Sequence, residues 1–272
     1  MEPDYFITRD KGEKVKSDRS FYDGRYNDKW KYRGLKDILR VSETIKYKEI
    51  IRFLGNIRAA SGNPLEILDF GCGRGRLVSQ LKALGNITGV DFSTSAIEQC
   101  RVNFPFSKFE TVDVTDPTWA DERSGSFDAV ISVDVIEHLP WSRQDTFLGN
   151  MRTLCTPEGS AILTTPIRER ILCLKKDGTL SDEEFLKQTE GQPTANQLNF
   201  HQLMDMVSRY FEVIEVKEIV PLITARSLDL TVKLASLPFR YRPMQMLTDL
   251  IGMKGKYALL LLKPKFRERN GD

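Results

Sequence analysis

The 272-residue chain has no apolar run long enough to cross a bilayer; its longest uninterrupted apolar stretch is 257–262. The first sixteen residues are charged and have no apolar centre, so a secretory signal is not expected. There are four cysteines, Cys72, Cys100, Cys155 and Cys173. None forms a C-x-x-C pair, which argues against a structural zinc site. A disulfide framework is not expected in a chain of this size without a signal. A reduced, cytoplasmic protein is therefore expected. Histidine is scarce, with only His138 and His201. No charge sign dominates, with 40 Lys+Arg against 38 Asp+Glu. No internal repeat or low-complexity tract is visible.

The balance of charge hides a gradient. Residues 1–63 hold 15 basic and 10 acidic residues, 64–166 hold 8 and 14, and 167–272 hold 17 and 14. The middle is acidic and the flanks mildly basic. Nucleic-acid binders concentrate basic charge on one surface, so this pattern argues against a polyanionic partner over the middle segment. With 40% hydrophobic and 29% charged residues, the composition is that of a globular protein.

Residues 1–40 are polar with interspersed aromatics, Phe21, Tyr22, Tyr26, Trp30 and Tyr32. They read as an extended arm leading into a helix. Leu35, Ile38, Leu39, Ile45, Ile50, Ile51 and Leu54 predict helix from 35 to 58. Ser61-Gly62-Asn63-Pro64 breaks it. Short apolar runs then recur at 65–70, 87–90, 108–112, 127–133 and 160–164. Helical stretches separate several of them: around Leu77–Leu84, from Ser93 as N-cap to Asn103, and from Arg143 to Leu154. Strands alternating with helices imply βαβ units and a parallel sheet. Ligands bind such sheets beyond the carboxyl ends of the strands. Asp69, Asp91, Asp113 and Asp134 all stand at those ends. Beyond 166 come a polar segment, 167–197, placed to act as a lid, a helix over 198–209 and a strand over 211–219. An apolar, helix-prone insert over 221–253 and a last strand over 256–262 follow.

Gly71-x-Gly73-x-Gly75 lies between a strand and a helix and permits close backbone approach to a ligand. It is neither the dinucleotide G-x-G-x-x-G nor a P-loop. Read alone, it could be a tight turn and nothing more.

Leu68-Asp69-Phe70-Gly71-Cys72-Gly73-Arg74-Gly75 resembles the first motif of the class I S-adenosylmethionine-dependent methyltransferases. Gly89-Val90-Asp91-Phe92-Ser93 resembles the second-strand motif, Asp113-Val114 the third, and 127–132 through Glu137-His138-Leu139 the fourth. The segment 154–165, with Pro157 and Gly159, is similar to the family's helix-to-fifth-strand passage. The resemblance covers 64–166 well and the last two strands loosely. It implies a Rossmann-like α/β fold: a doubly wound, mostly parallel sheet with an antiparallel last strand and helices on both faces. It divides the chain into an N-terminal arm and helix (1–63) and a methyltransferase domain (64–272) carrying the segments 167–197 and 221–253.

The resemblance implies S-adenosyl-L-methionine as cofactor, faced by Asp69, Gly71, Cys72, Gly73, Asp91, Phe92, Asp113, Val114 and Asp134. A carboxylate at Asp91 can accept two ribose hydroxyls. Phe92 can pack on the adenine face. Asp113 can accept from the adenine amino group, and the Val114 amide can donate to a ring nitrogen. Asp69 would orient the loop and the methionine amino group. Cys72 reads as a small packing residue, and Arg74 and Arg76 as loop flanks in solvent. His138 is the candidate catalytic base for a hydroxyl acceptor; its alternative is a pocket-shaping hydrogen bond.

The ubiquinone-type and small-RNA branches can hold a divalent metal on Glu-x-x-Glu-His. Here Asp134-x-x-Glu137-His138 is shorter by one methylene, and Asn196 stands near the place of the later histidine. No metal is therefore assigned. His201 has a surface or capping role. The expected reaction is O-methylation of a small-molecule or saccharide-type acceptor. The alternatives are metal-assisted methylation of RNA or a lipid-quinone, and a non-catalytic cofactor-binding module. Apolar residues beside Arg240, Arg242, Lys254 and Lys256 leave open a membrane-surface contact through 221–253. The oligomeric state is open.

Overall fold

The structure, a computed structural model, describes residues 6–8, 14–16, 35–167, 198–221 and 255–266. The aromatic residues of the arm, the segment 168–197 and the insert 222–254 lie outside the described residues.

Near the N-terminus β1 (Phe6–Thr8) pairs antiparallel with β2 (Lys14–Lys16). Helix α1 (Leu35–Ser61) follows and ends at Gly62, whose φ is +72°. The alternating unit then runs β3 (Leu65–Phe70), α2 (Val78–Leu81), β4 (Gly85–Asp91), α3 (Thr94–Asn103), β5 (Lys108–Thr111), α4 (Pro117–Asp121), β6 (Phe127–Val133), α5 (Trp141–Leu154) and β7 (Cys155–Pro166). The last described elements are α6 (Phe200–Ser208), β8 (Phe211–Pro221) and β9 (Gly255–Pro264). Seven strands form one sheet in the order β5-β4-β3-β6-β7-β9-β8. The pairs from β5 to β7 are parallel; β9 runs antiparallel to both β7 and β8. The expected mostly parallel sheet with an antiparallel last strand is what the chain adopts.

The central strands are apolar on both faces, as buried parallel strands must be. In β3, Leu65 and Ile67 join one core with Ile50, Phe53 and Leu54 of α1 and Ile97 of α3. The alternate residues Leu68 and Phe70 join a second core with Phe147, Leu148 and Met151 of α5 and Leu203 of α6. The period of two thus sends neighbouring side chains to opposite layers. Phe70 stacks on Phe147 with ring centroids 5.4 Å apart.

Three local outcomes depart from expectation. The helix after the glycine loop is one turn only, because Gly85 opens β4 directly against β3. A Cβ there would lie 1.9 Å from the Leu65 carbonyl oxygen. Strand β7 begins at Cys155, five residues earlier than the apolar run, because it pairs with Phe127 across a bulge in the β6 register. Helix α4 was not anticipated, although Asp116-Pro117 carries a start signal: the Asp116 carboxylate accepts from the Thr118 amide at 2.9 Å.

Candidate functional site

The first-strand turn puts three glycines at positive φ: Gly71 (+91°), Gly73 (+50°) and Gly75 (+71°). These values are costly for a side-chain-bearing residue. The amides of Gly71 and Cys72 both donate to the Val90 carbonyl at 2.8 Å, tying the turn to the end of β4. A Cβ on Gly71 would come within 2.4 Å of Val135, and one on Gly89 within 2.7 Å of Phe109. Glycine is therefore required where the turn meets the loop after β6 and where β4 passes β5.

Asp91 ends β4 and is 8% exposed. One carboxylate oxygen accepts from the Gly73 amide at 2.9 Å, and the other from the Ser93 amide at 3.0 Å. The side chain thus locks the glycine turn to the start of α3. Ser93 caps that helix, accepting from Ala96 at 3.3 Å, as expected. Asp69 is 2% exposed. Burial, together with the nearby Asp91 charge, raises its carboxyl from 3.8 to about 7. A buried acid of that kind, next to an anchored carboxylate, favours a cationic ligand group.

Cys72 is buried and packs below Gly89, 3.0 Å from where a Cβ would stand. Its thiol is raised well above the usual range by hydrogen bonding with Cys100 and by burial, so it is a packing residue. Phe92 is half-buried beside Asp91. Asp113 turns back on its own loop. One oxygen accepts from the Thr115 amide (2.9 Å) and hydroxyl (2.7 Å), and the other from Arg143 at 2.9 Å. Val114 is buried, and its carbonyl accepts from Asn150 at 3.0 Å. Arg76 reaches α1 and grips Glu43 at 2.6 and 2.9 Å rather than pointing only to solvent. His201 is exposed; the cap of α6 is Asn199, which forms a capping box with Gln202.

The loop after β6 forms the other wall. Asp134 is a non-glycine residue at φ +55°. Its amide donates to the Thr164 carbonyl at 3.0 Å, and its carboxylate accepts from the Thr164 hydroxyl at 2.8 Å. The second carboxylate oxygen pairs with Lys46 of α1. Glu137 is buried and accepts from the Thr165 hydroxyl at 3.1 Å. Burial and the Asp134 charge raise its carboxyl well above the usual range. His138 is half-buried in a single 3-10 turn, Ile136–His138, that Gln144 staples through the Ile136 and Leu139 carbonyls at 3.1 Å each.

The structure therefore brings Gly71, Cys72, Gly73 and Asp91 into one hydrogen-bonded corner, with Asp69 buried beside Asp91. Val135 joins that corner to the Asp134–His138 loop. Phe92, Asp113 and Val114 line the same sheet edge. Sequence reasoning missed the contribution of α1: Glu43, Lys46 and Tyr47. Burial raises the Tyr47 hydroxyl, with Glu43, Asp69 and Asp134 adding to the rise. A signal was present, since Lys46 falls on the same helical stripe as Ile50, Phe53 and Leu54, where a charge needs a buried partner.

The comparisons with known proteins agree with this geometry. Residues 67–159 match the family model described as a methyltransferase domain. The ubiquinone biosynthesis O-methyltransferase of Colwellia psychrerythraea is 27% identical over 146 residues, 46% of this chain and 56% of that one. The mitochondrial enzyme of the same name from Arabidopsis thaliana is 33% identical over 106 residues, 37% of this chain and 32% of that one. Residues 67–159 thus carry a methyltransferase domain, and the chain is similar to the class I S-adenosylmethionine-dependent methyltransferases. It spans about half or less of the length of these two relatives. Among solved structures, magnesium protoporphyrin IX methyltransferase from Synechocystis, with bound S-adenosylhomocysteine, superposes with a TM-score of 0.55 at 17% identity. The match covers 91% of this chain and 94% of that one. That likeness is one of fold.

The residues present fit the family's cofactor: a backbone cradle free of side chains, an anchored carboxylate at the second strand, and a buried acid at the first. They fit a divalent metal poorly. Lys46 already occupies one Asp134 oxygen, and among the described residues no group of three His, Cys, Asp or Glu could hold an ion. Asn196 lies outside the described residues. Among the described residues no helix is long and apolar enough to cross a membrane.

Proposed function

We propose that this chain is an S-adenosylmethionine-dependent O-methyltransferase acting on a hydroxyl of a small-molecule or saccharide-type acceptor. The observation that carries the reading is the locked corner of Gly71, Gly73 and Asp91 beside buried Asp69. When bound, the cofactor supplies a methyl group on a sulfonium, which is transferred by in-line displacement. The chain's residues supply binding and orientation, which is most of what such a reactive donor needs. Asp91, at the end of the second strand of the unit, would hold the ribose hydroxyls. The glycine turn would admit the amino-acid end close to the backbone, and Asp69 would hold its ammonium group. Phe92, Asp113 and Val114 line the adenine side. Asp113 shares its oxygens with Thr115 and Arg143, so Arg143 sets the orientation of that carboxylate. His138 would take the acceptor's hydroxyl proton.

The ubiquinone-type relatives favour a second acceptor reading, a phenolic quinone precursor. An assay with radiolabelled methyl donor and two acceptor panels, phenols and sugars, separates the two. Calorimetry with S-adenosylhomocysteine tests the common premise: saturable one-to-one binding is expected, and none at millimolar ligand refutes the reading. Binding without transfer to any panel would leave a cofactor-binding module.

A further inference from the structure

Helix α1 carries Lys46 into the protein at 1% exposure, and its ammonium meets the carboxylate of Asp134 at the end of β6. Asp134 is the reachable half of the pair, 27% exposed. Its other oxygen is held by Thr164 and its backbone by the Thr164 carbonyl, so the left-handed residue is fixed from three sides. One turn later Glu137 is fixed on Thr165. Lys46 and Asp134 both lie close enough to Glu137 to act on its charge. The loop therefore holds two carboxyls, Asp134 and Glu137, under the charge of one lysine donated by a different element.

Two carboxyls crowded into a partly dry loop need a cation or a proton between them. We propose that the ammonium of Lys46 is a permanent internal cation of this loop, occupying the coordination space beside Asp134 and Glu137, so that this methyltransferase works without a divalent metal there. The proposal deepens the reading above and rests on it for the identity of the loop as the acceptor-side wall. The geometry gives the lysine two advantages over an ion. It is covalently held by the helix that closes over the glycine turn through Glu43 and Arg76. It also couples the position of that helix to the backbone of Asp134.

The test titrates Mn²⁺ alone into the full chain and follows loss of the free-ion paramagnetic resonance signal. Wild-type protein is expected to take up no Mn²⁺ that Asp134→Asn abolishes. Lys46→Met removes the charge and keeps the bulk, and is expected to take up one equivalent, lost again in Lys46→Met/Glu137→Gln. Lys46→Arg keeps the charge and is expected to take up none. Near-ultraviolet dichroism of each variant checks folding. A folded Lys46→Met protein that takes up no Mn²⁺ overturns the proposal. If Lys46→Met does not fold, the wild-type arm decides: Mn²⁺ uptake abolished by Asp134→Asn overturns it, and no such uptake supports it. S-adenosylhomocysteine binding, read separately by calorimetry, reports on the methyltransferase reading and not on the lysine.

Discussion

Cofactor binding to this protein should switch on as the pH rises through neutrality, and Asp69 is the reason. In the ligand-free protein its carboxyl sits at about 7, against 3.8 in an open chain, because of burial and the neighbouring Asp91 charge. The folded value is raised, so the native state binds a proton more tightly than the unfolded chain. The unfolded chain therefore carries fewer protons between about pH 4 and 7, and stability falls with rising pH across that window. The loss is complete above about pH 7 and corresponds to about 4 kcal/mol. A ligand ammonium placed against Asp69 reverses the balance by favouring the carboxylate. Below pH 7 the ligand must expel the proton, so its affinity should fall by up to about tenfold per pH unit, about 1.4 kcal/mol each. Calorimetry with S-adenosylhomocysteine from pH 5.5 to 8, in two buffers of different ionisation heat, reads affinity and proton release together. Asp69→Asn should bind more weakly at pH 8, with a flat profile and no proton release. Wild-type affinity that is flat across the range, or a variant with the wild-type slope, would refute the reasoning.

Three further outcomes follow from the same geometry. Gly71→Ala places a Cβ at φ +91° and 2.4 Å from Val135; it should cost about 2–5 kcal/mol in denaturant unfolding from strain and overpacking, and abolish cofactor binding. Asp91→Asn exchanges a charged acceptor for a neutral one at two backbone amides and at the ribose, and should raise the Kd for S-adenosylhomocysteine by about 10- to 100-fold. His138→Ala should leave that Kd unchanged and lower kcat by about 100- to 10,000-fold with a hydroxyl acceptor; unchanged turnover would remove it as the base.

The strand ends were legible because each central strand is a short apolar run stopped by a carboxylate. Leu65–Phe70 and Phe127–Val133 fall where the sequence places them. Thus Asp69, Asp91, Asp113 and Asp134 could be assigned to one edge before any contact was known. The single turn of α2 was not legible, because its length is set by Gly85 lying against Leu65, a contact between strands. The early start of β7 had the same origin, a pairing of Cys155 with Phe127.

The site divides along the same line. The glycine turn and Asp69 are local, and Asp91 follows within the same βαβ unit, 18 positions past Gly73, so the strand-turn-helix-strand spacing brings them together. The sequence alone therefore determined the fold class and the glycine turn with the carboxylates at the strand ends. The Lys46–Asp134 pair joins residues 88 positions apart, and Arg76 meets Glu43 across 33. No local pattern specifies such partners, because side-chain spacing along one helix says which residues share a face and not what that face meets. Packing α1 against the strand ends decided that the acidic loop would be neutralised from within, since a buried lysine stripe position must find its counter-charge wherever the tertiary structure provides one.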